Sequence, residues 1–494
     1  MALIDKTTPS RKMSELLARV RQVPPTRLTF VVSLLLSLIA VSGSVIVSKD
    51  AALYLHIAQQ VLDQGPRAAF LAFDWPWFSF LIAGSHRLFA LPLEMAAYFC
   101  CALFIAGTCA LLVSISERFA AGSAYWACLV VLSIPAINQF RTDIIREHGF
   151  WFFAVLALGL ALRWLQDGGW LRAILIQLAI VAAALFRLEA ALLLPAITLC
   201  LIADLRRREG WKRLLQLSAL PLTGILIAVI SIWSGDTWSQ PRIAHYASLA
   251  DPRQLAAGFE VMTTRFAAAA LEKYSADDAG KILFFGVTLT LLVKFLALNG
   301  PLLLPLFHPE SGQALRDYWK KLSPFFCTWL AYFAVLFVFF IRERFINSRY
   351  VSFLNVLAVP LLAAACLHFG KRLPRLSKAL IAAAVVVMLI NVIYLGAKKT
   401  HYLEAATWLS SHTSAADPIY YQDLRIAYYA GRGYPFTPLT REELMTPEQA
   451  AKYRYFVLTP RPGDALVQWL KEQHKPVLGE FSNRKGDKVV IIGH

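Results

Sequence analysis

The sequence has little charge, and it has no cysteine outside its apolar stretches. Of 494 residues, only 16% are charged whereas 57% are hydrophobic. A chain that folds in water has no use for so much apolar surface, which excludes an ordinary soluble protein. All seven cysteines lie inside apolar runs, so the sequence predicts no disulfide framework.

Motifs of nucleotide and metal sites are also missing. The sequence contains no Gly-x-x-x-x-Gly-Lys phosphate loop and no Rossmann glycine pattern, so nothing supports a nucleotide site. The histidines and cysteines do not have the spacing of metal ligands. A divalent metal therefore stays unsupported, and no other cofactor is predicted.

What the sequence has instead is a series of apolar runs of roughly 17–25 residues, the length that a helix needs to cross a bilayer. Backbone polar groups must be satisfied internally in lipid, so such runs must be helices. We therefore predict a mainly α fold, a polytopic transmembrane bundle of about eleven spans. The spans lie near residues 28–48, 93–115, 123–140, 149–166, 171–186, 188–205, 214–233, 281–299, 323–341, 350–369 and 378–396.

The positive charge predicts the topology of this bundle. A net charge of +17 on a soluble protein would suggest nucleic acid, but most basic clusters fall in alternate short loops between apolar runs. Because positive loops stay in the cytoplasm, the N-terminus is predicted to be inside and the C-terminus outside. We expect a multi-pass protein of the cell inner membrane, with the bilayer as a partner and no nucleic acid.

Three parts follow from this pattern. Residues 1–27 are a basic cytoplasmic segment, and residues 28–397 are the transmembrane domain with outward loops 49–92 and 234–280. Residues 398–494 contain turn clusters, two helical stretches and short apolar runs near 418–421, 453–458 and 488–492, which are typical of strands. This tail predicts a small extracytoplasmic α/β domain.

Ionisable residues at the membrane boundary are costly, so each cluster of them is a candidate site. The first cluster follows span one and contains Lys49 and Asp50, with Tyr54 and His56 on a predicted helix over 51–62. Asp50 has two interpretations. It is either the N-cap of this helix or a general base at the water–lipid boundary.

The second cluster lies between two apolar runs and comprises Arg141, Asp143, Arg146, Glu147 and His148. Gly, Asn and Pro, which favour turns, are absent from it. On a helix, Asp143 and Glu147 would share a face. The alternative to a functional role is mutual salt bridging at the surface.

Two further clusters lie at predicted outward boundaries. In the cluster that begins at Arg342, cations on the outward side break the charge rule and suggest an anionic partner such as a phosphate, which arginine binds through two parallel hydrogen bonds. The alternative is contact with lipid headgroups. The clusters are Arg187 with Glu189, and Arg342 and Arg344 with Arg349 and Tyr350.

In the order of these motifs the chain resembles the multi-span GT-C glycosyltransferases of the family 39 type, which includes protein O-mannosyltransferases and transferases that modify lipid A with aminoarabinose or galacturonate. The resemblance covers the whole order of parts, from an acid after span one to an outward C-terminal domain. Its motifs are Asp50 with Tyr54, the segment Asp74-Trp75-Pro76-Trp77, the Arg187–Ala190 turn and the Arg349-Tyr350 pair.

The resemblance implies an inverting transfer of a hexose or pentose from a polyprenyl-phosphate donor to a glycolipid, glycan or protein acceptor. Asp50 maps to the family's catalytic carboxylate. Many relatives have two adjacent acids at this point, whereas here Ala51 follows Asp50. The second carboxylate is therefore expected to come from Asp143 or Glu147. The expected substrate-binding residues, with Arg344 and Arg349 first for the phosphate, are Lys49, Tyr54, His56, Asp74, Arg141, Arg146, His148, Arg187, Glu189, Arg342, Arg344, Arg349 and Tyr350.

Two other functions fit a chain with many spans and boundary charges. A transporter or a flippase for lipid-linked sugars would show internal repeats and charges at the bilayer midplane, and neither is evident in the sequence. A non-catalytic partner in envelope assembly would use the tail for docking. Loss of sugar transfer on replacing Asp50 would separate catalysis from both.

Overall fold

A computed structural model describes residues 22–233, 251–393, 396–435 and 439–493 of the chain. Residues 1–21 of the predicted cytoplasmic segment lie outside the described residues, and so do residues 234–250 of the predicted outward loop 234–280. The chain divides into two compact units. The first comprises the chain up to Ser37, Cys101–Arg141 and Arg146–Val392; the second comprises Leu38–Cys100, Thr142–Ile145 and the chain from Ile393 onward.

The first unit is built of helices. Proline at the first positions of a helix favours its start, as at Pro324 and Pro374. The α-helices of this part are α1 Pro25–Gly43, α5 Leu93–Phe119, α6 Ala124–Ser133, α7 Pro135–Asn138, α8 Glu147–Asp167, α9 Trp170–Phe186, α10 Leu193–Leu199, α11 Arg208–Trp233, α12 Pro252–Ala270, α13 Ala279–Ala297, α14 Ser311–Lys321, α15 Ser323–Glu343, α16 Ser348–Arg372 and α17 Pro374–Val392, of which α1 and α5 continue into the second unit. Short 3₁₀ helices cover Leu188–Leu192, Ile202–Arg206, Lys273–Asp278 and Gly300–Phe307.

Seven helices within the described residues are long and apolar enough to cross a membrane. In α16, Ser348–Arg372, 89% of an apolar 18-residue stretch is buried, whereas in α1, Pro25–Gly43, the share is 28%. Helix α16 is therefore central in its unit and α1 is peripheral. The fold class predicted from the sequence, a polytopic helical bundle with a small C-terminal sheet, is confirmed. The total of eleven spans stays a prediction.

Two predicted spans are interrupted, and one of them, 188–205, forms the seven-residue helix α10 between two 3₁₀ helices. The run 123–140 forms α6 and then the short helix α7, and between them Ile134 adopts an extended conformation with ψ of 134°. The cause is Pro135, because the ring of a proline disfavours the helical region for the residue before it. The chain then turns and leaves the helix by Arg141.

The second unit contains short helices and one sheet. Its helices are α2 Lys49–Gln64, α3 Pro66–Ala72, α4 Trp77–Phe89, α18 Thr400–His412, α19 Leu424–Tyr429, α20 Arg441–Leu444, α21 Pro447–Ala450 and α22 Ala465–Glu472. Its strands are β1 Ile419–Tyr421, β2 Tyr455–Leu458, β3 Val477–Ser482 and β4 Lys488–Gly493. The strand order is β1-β2-β4-β3, with β1 and β2 parallel and the other pairs antiparallel.

Three of these strands agree with the sequence prediction, and β3 was missed. β2 and β4 are almost wholly buried, which is why their apolar runs are easy to recognise. β3 is an edge strand with mostly exposed side chains, and its register shifts between Val477 and Gly479. A glycine and an exposed edge weaken the apolar alternation on which strand prediction depends.

Two local predictions are wrong. Asp50 is not an N-cap, because α2 begins at Lys49 with Ser48 before it and Asp50 lies in the first turn. Asp143 and Glu147 do not share a helix face, because residues 142–145 are not helical and α8 begins only at Glu147. Ile144 and Ile145 are buried, which holds this segment in a non-helical conformation.

Candidate functional site

In the second unit, the half-buried Asp50 lies in the first turn of α2 near a group from the tail of the chain. Burial raises the pKa of the Tyr434 phenol, and the nearby carboxylates of Asp50 and Asp423 raise it further. Tyr54, one turn after Asp50, is buried and packs its ring against Phe73 and Phe78. The tail therefore reaches the start of α2.

Asp423 is the centre of an ion network in this unit. Its carboxylate caps α19 and accepts two hydrogen bonds from the Arg425 guanidinium, from Nε at 2.9 Å and from Nη2 at 2.7 Å. Lys49 Nζ lies 3.8 Å from the same carboxylate. Burial alone would raise the pKa of Asp423, but the hydrogen bonds and charge of Arg425 hold that pKa below its ordinary value.

A cavity of about 190 Å³ opens beside this network, at the C-terminal end of α1. Three cations and one carboxylate line it together with Thr142 and the backbone segment 43–48; the charged residues are Lys398, Lys399, Arg425 and Asp143. Burial and the neighbouring cations lower the pKa of Lys399 below that of an ordinary lysine. A pocket with such a lining suits an anion.

Two more predicted residues, His56 and Asp74, lie in the second unit. His56 is half-buried, and burial lowers its pKa below the ordinary value. Its ring lies against Gly433, where an added Cβ would stand 2.8 Å from His56 Cε1. Asp74 is half-buried in the segment between α3 and α4.

In the first unit, a second ion network joins the start of α8, the end of α9 and the start of α16. Arg187 Nη1 lies 2.5 Å from Glu147 Oε1 and also pairs with Glu189, and Arg349 Nε lies 3.0 Å from Glu147 Oε1. The Tyr350 ring lies under both guanidinium groups, with Cζ of Arg187 4.7 Å and Cζ of Arg349 5.3 Å from its centroid.

Most charges of this first-unit network are paired within it, and Arg146 lies near Glu189 as well. Two arginines face two glutamates, and the four side chains are between 5% and 19% exposed. Removing charges from water costs several kcal/mol per ion, so a buried set persists when its members satisfy one another. The arrangement is suited to holding the ends of these helices together.

Besides Glu147, two residues of the predicted 141–148 cluster are buried in the first unit. Arg141 is 1% exposed; its Nε bonds Asn138, and its Nη1 bonds Ser33 and Ser37 of α1. His148 is fully buried against the edge of Trp151. Arg146 precedes α8 and lies near enough to Glu189 to act on its charge.

The outward arginines that were first expected to bind phosphate are separated. Arg349 belongs to the first-unit network, whereas Arg344 is exposed at the left-handed end of α15, with φ of 59°. Arg342 donates to the carbonyl of Gln254, at 3.5 Å. Within the first unit, the structure therefore brings Arg187, Arg349 and Tyr350 together but leaves Arg344 apart.

Sequence reasoning missed Lys399, Asp423, Arg425 and Tyr434, which all lie in the tail. Their local pattern is that of a capped turn, since Asp423 precedes a short helix and bonds the Arg425 backbone N–H. Such a pattern predicts a cap and gives no reason to expect an ion network with a residue as distant as Lys49. Within the described ranges, no three His, Cys, Asp or Glu residues are grouped as metal ligands would be.

Comparison with known proteins gives structural likeness only. No family model and no curated protein matches the sequence. The chain is similar to ArnT from Cupriavidus metallidurans in the apo state (TM-score 0.56, 13% identity) and bound to undecaprenyl phosphate (0.58, 13%), covering 94% of this chain and 97% of that one in each case. It is also similar to the Archaeoglobus fulgidus oligosaccharyltransferase in complex with zinc and sulfate (0.56, 12%), covering 94% of this chain and 72% of that one.

Proposed function

We propose, on the premise that this chain has the fold of the GT-C glycosyltransferases, that it transfers a sugar from a polyprenyl-phosphate donor. The acceptor that we propose is a glycolipid, glycan or protein of the cell envelope. The reaction would take place at the outer face of the inner membrane, where the predicted topology puts the second unit.

The observation that carries this proposal is the position of Asp50. Asp50 and Asp423 both lie near Tyr434, and the same unit holds the cavity lined by Lys398, Lys399 and Arg425. A transferase that uses a lipid-phosphate donor needs a base for the acceptor and cations for the leaving phosphate. Both kinds of group occur in this one unit.

In the proposed reaction Asp50 takes the proton from an acceptor hydroxyl. The acceptor oxygen then forms a bond to the anomeric carbon as the bond from that carbon to the phosphate oxygen breaks, which inverts the anomeric configuration. The negative charge that grows on the leaving phosphate is stabilised by the cavity cations, among which Arg425 is the strongest candidate because a guanidinium binds phosphate at two points.

The remaining predicted residues have graded support. Asp143 lines the same cavity as Arg425 and is the better candidate for a second carboxylate. Glu147 is engaged by Arg187 and Arg349, which supports a role in holding helices. Arg344, exposed at the end of α15, stays a predicted phosphate contact.

The test compares envelope glycolipids and glycans by mass spectrometry in cells with and without the gene. We expect one sugar modification to disappear without the gene, to return with the wild-type gene, and not to return with Asp50→Asn. Removing a general base typically lowers a rate by about 10²–10⁴-fold. If Asp50→Asn, present at the wild-type protein level, restored the modification, the proposal would be contradicted. It would also be contradicted if the wild-type protein did not bind undecaprenyl phosphate.

A further inference from the structure

We propose that Asp423, in the tail of the chain, is a positioning residue that holds Arg425 at the cavity for the donor phosphate. The tail would then be part of the transferase site. The inference rests on the proposed function, and it assigns a task to a residue outside the transmembrane helices. Three observations within the second unit support it.

The first observation is the geometry of the pair. Arg425 uses Nε and Nη2 to bond the two oxygens of Asp423, at 2.9 and 2.7 Å. This pairing occupies one edge of the planar guanidinium and leaves Nη1, with its two N–H donors, outside the pair. Because Arg425 lines the cavity, Asp423 fixes the plane in which the other edge is presented.

The second observation is burial. The side chains of Asp423 and Arg425 are only 7% and 11% exposed. The Arg425 guanidinium also lies over the Tyr402 ring at 5.0 Å, and the Tyr402 hydroxyl lies 3.3 Å from Asp423 Oδ2. An arginine held from two sides loses little side-chain entropy when it binds a ligand, which is the advantage of preorganisation.

The third observation is charge. Lys49 and Lys399 lie close to Arg425, and Lys399 Nζ is 5.5 Å from the centre of the Tyr402 ring. Cations gathered around an anion site repel one another until the anion arrives. The Asp423 carboxylate offsets this repulsion in the unliganded protein, and it also pairs with Lys49 at 3.8 Å.

The chain contains a matched control for Asp423. Asp464 caps α22, is bonded by Arg441 Nη2 at 2.6 Å and has a side chain only 3% exposed, yet neither it nor Arg441 lines the cavity. Asparagine is as good an N-cap as aspartate. Asp423→Asn and Asp464→Asn therefore both keep a cap and both remove a buried carboxylate from its arginine partner, although the Arg441 side chain is 38% exposed.

The experiment measures the Kd of undecaprenyl phosphate for the full-length protein in nanodiscs. We expect Asp423→Asn to raise this Kd at least about tenfold, the loss of one charge-assisted contact, and Asp464→Asn to change it less than twofold. Arg425→Gln should raise the Kd as much as Asp423→Asn does. The double variant should have nearly the same Kd as Arg425→Gln alone, because the aspartate acts through the arginine.

Arg425→Lys covers the case in which Asp423→Asn does not fold. Lysine keeps the charge but cannot form the two-point pair, so we expect the Kd to rise also for this variant. An unchanged Kd in folded Asp423→Asn or Arg425→Lys would overturn the inference while leaving the proposed function in place. An equal rise for Asp464→Asn would also overturn it. A wild-type protein that does not bind undecaprenyl phosphate would instead overturn the proposed function, and this inference with it.

Discussion

The two ion networks of this protein differ in the way their charges are used. In the first unit, Glu147 and Glu189 pair with Arg187 and Arg349, and Arg146 lies near Glu189. In the second unit, the cations lining the cavity outnumber its single carboxylate, Asp143. Both networks contain arginine–carboxylate pairs that are largely buried, and the second one borders a cavity.

The difference shows that a buried charge cluster does not by itself identify a site. A network whose charges are mostly paired with one another stabilises helix ends. A network with excess cations around a cavity is stable only if something offsets the repulsion, and a phosphate would do so. The comparison therefore predicts that mutations in the first network affect folding and that mutations in the second affect binding.

The largest expected effect is on stability, from Glu147→Gln. The substitution leaves Arg187 and Arg349 without their shared carboxylate, and breaking a buried pair costs about 3–5 kcal/mol. Thermal unfolding of the purified protein in detergent measures the change. Glu310→Gln is the control, because the Glu310–Arg372 pair is more exposed and is expected to contribute about 0–1 kcal/mol. Equal effects of the two substitutions would contradict the comparison.

The next effect concerns the loop that brings Tyr434 to Asp50. Gly431 and Gly433 both have φ of 72°, so alanine at either position is strained by about 1–2 kcal/mol. Only at Gly433 would the new Cβ meet the His56 ring, and nothing lies within 4 Å at Gly431. We expect Gly433→Ala to lower the unfolding temperature more than Gly431→Ala. If the two are equal, the close approach to His56 contributes nothing.

A smaller effect is expected on binding, from Lys399→Gln. The lysine lines the cavity of the second unit, and losing a hydrogen bond to a charged group costs about 1.5 kcal/mol, or roughly tenfold in Kd. Undecaprenyl phosphate binding in nanodiscs is the measurement. The control is Lys488→Gln, which removes a half-exposed lysine of the same unit that is paired with Glu480 and should leave the Kd unchanged. Equal losses would indicate a general effect of net charge.

The smallest effect is on pH dependence. Burial, Arg425 and Lys49 lower the pKa of Lys399, although Asp423 and Asp487 oppose the shift. A lysine with a lowered pKa loses its charge at a lower pH than usual, so affinity should fall as pH rises toward the ordinary lysine range of about 10. We expect a decline of a few-fold for the wild type that starts below that range and is absent in Lys399→Gln. Parallel profiles would show that another group titrates.

Several predictions from the sequence agree with the structure because they depend on local pattern. Seven apolar runs form helices of spanning length, and the buried strands of the tail were recognisable from their residues. The 141–148 segment was harder. Its charges are dense in sequence, yet Asp143 lies at the cavity of the second unit whereas Arg141 is bonded inside the first.

The site is less predictable than the fold because its members come from distant segments. The grouping of Arg187 and Glu189 with Glu147 requires helix ends to meet, and the pairing of Lys49 with Asp423 requires the tail to fold back. No periodicity encodes either contact. The local sequence around a charged residue does not show whether the residue will cap a helix, pair with another helix or contact a ligand.

The sequence by itself determined that most of this protein folds into apolar helices suited to a bilayer. Long apolar runs must leave water and must satisfy their own hydrogen bonds as helices, which is a property of the chain alone. The tertiary structure alone decided which charges are neutralised and which are left to face a cavity. That outcome depends on the partner a side chain meets within about 4 Å, because Coulomb interactions in a protein are strong only at short range and in poorly hydrated surroundings.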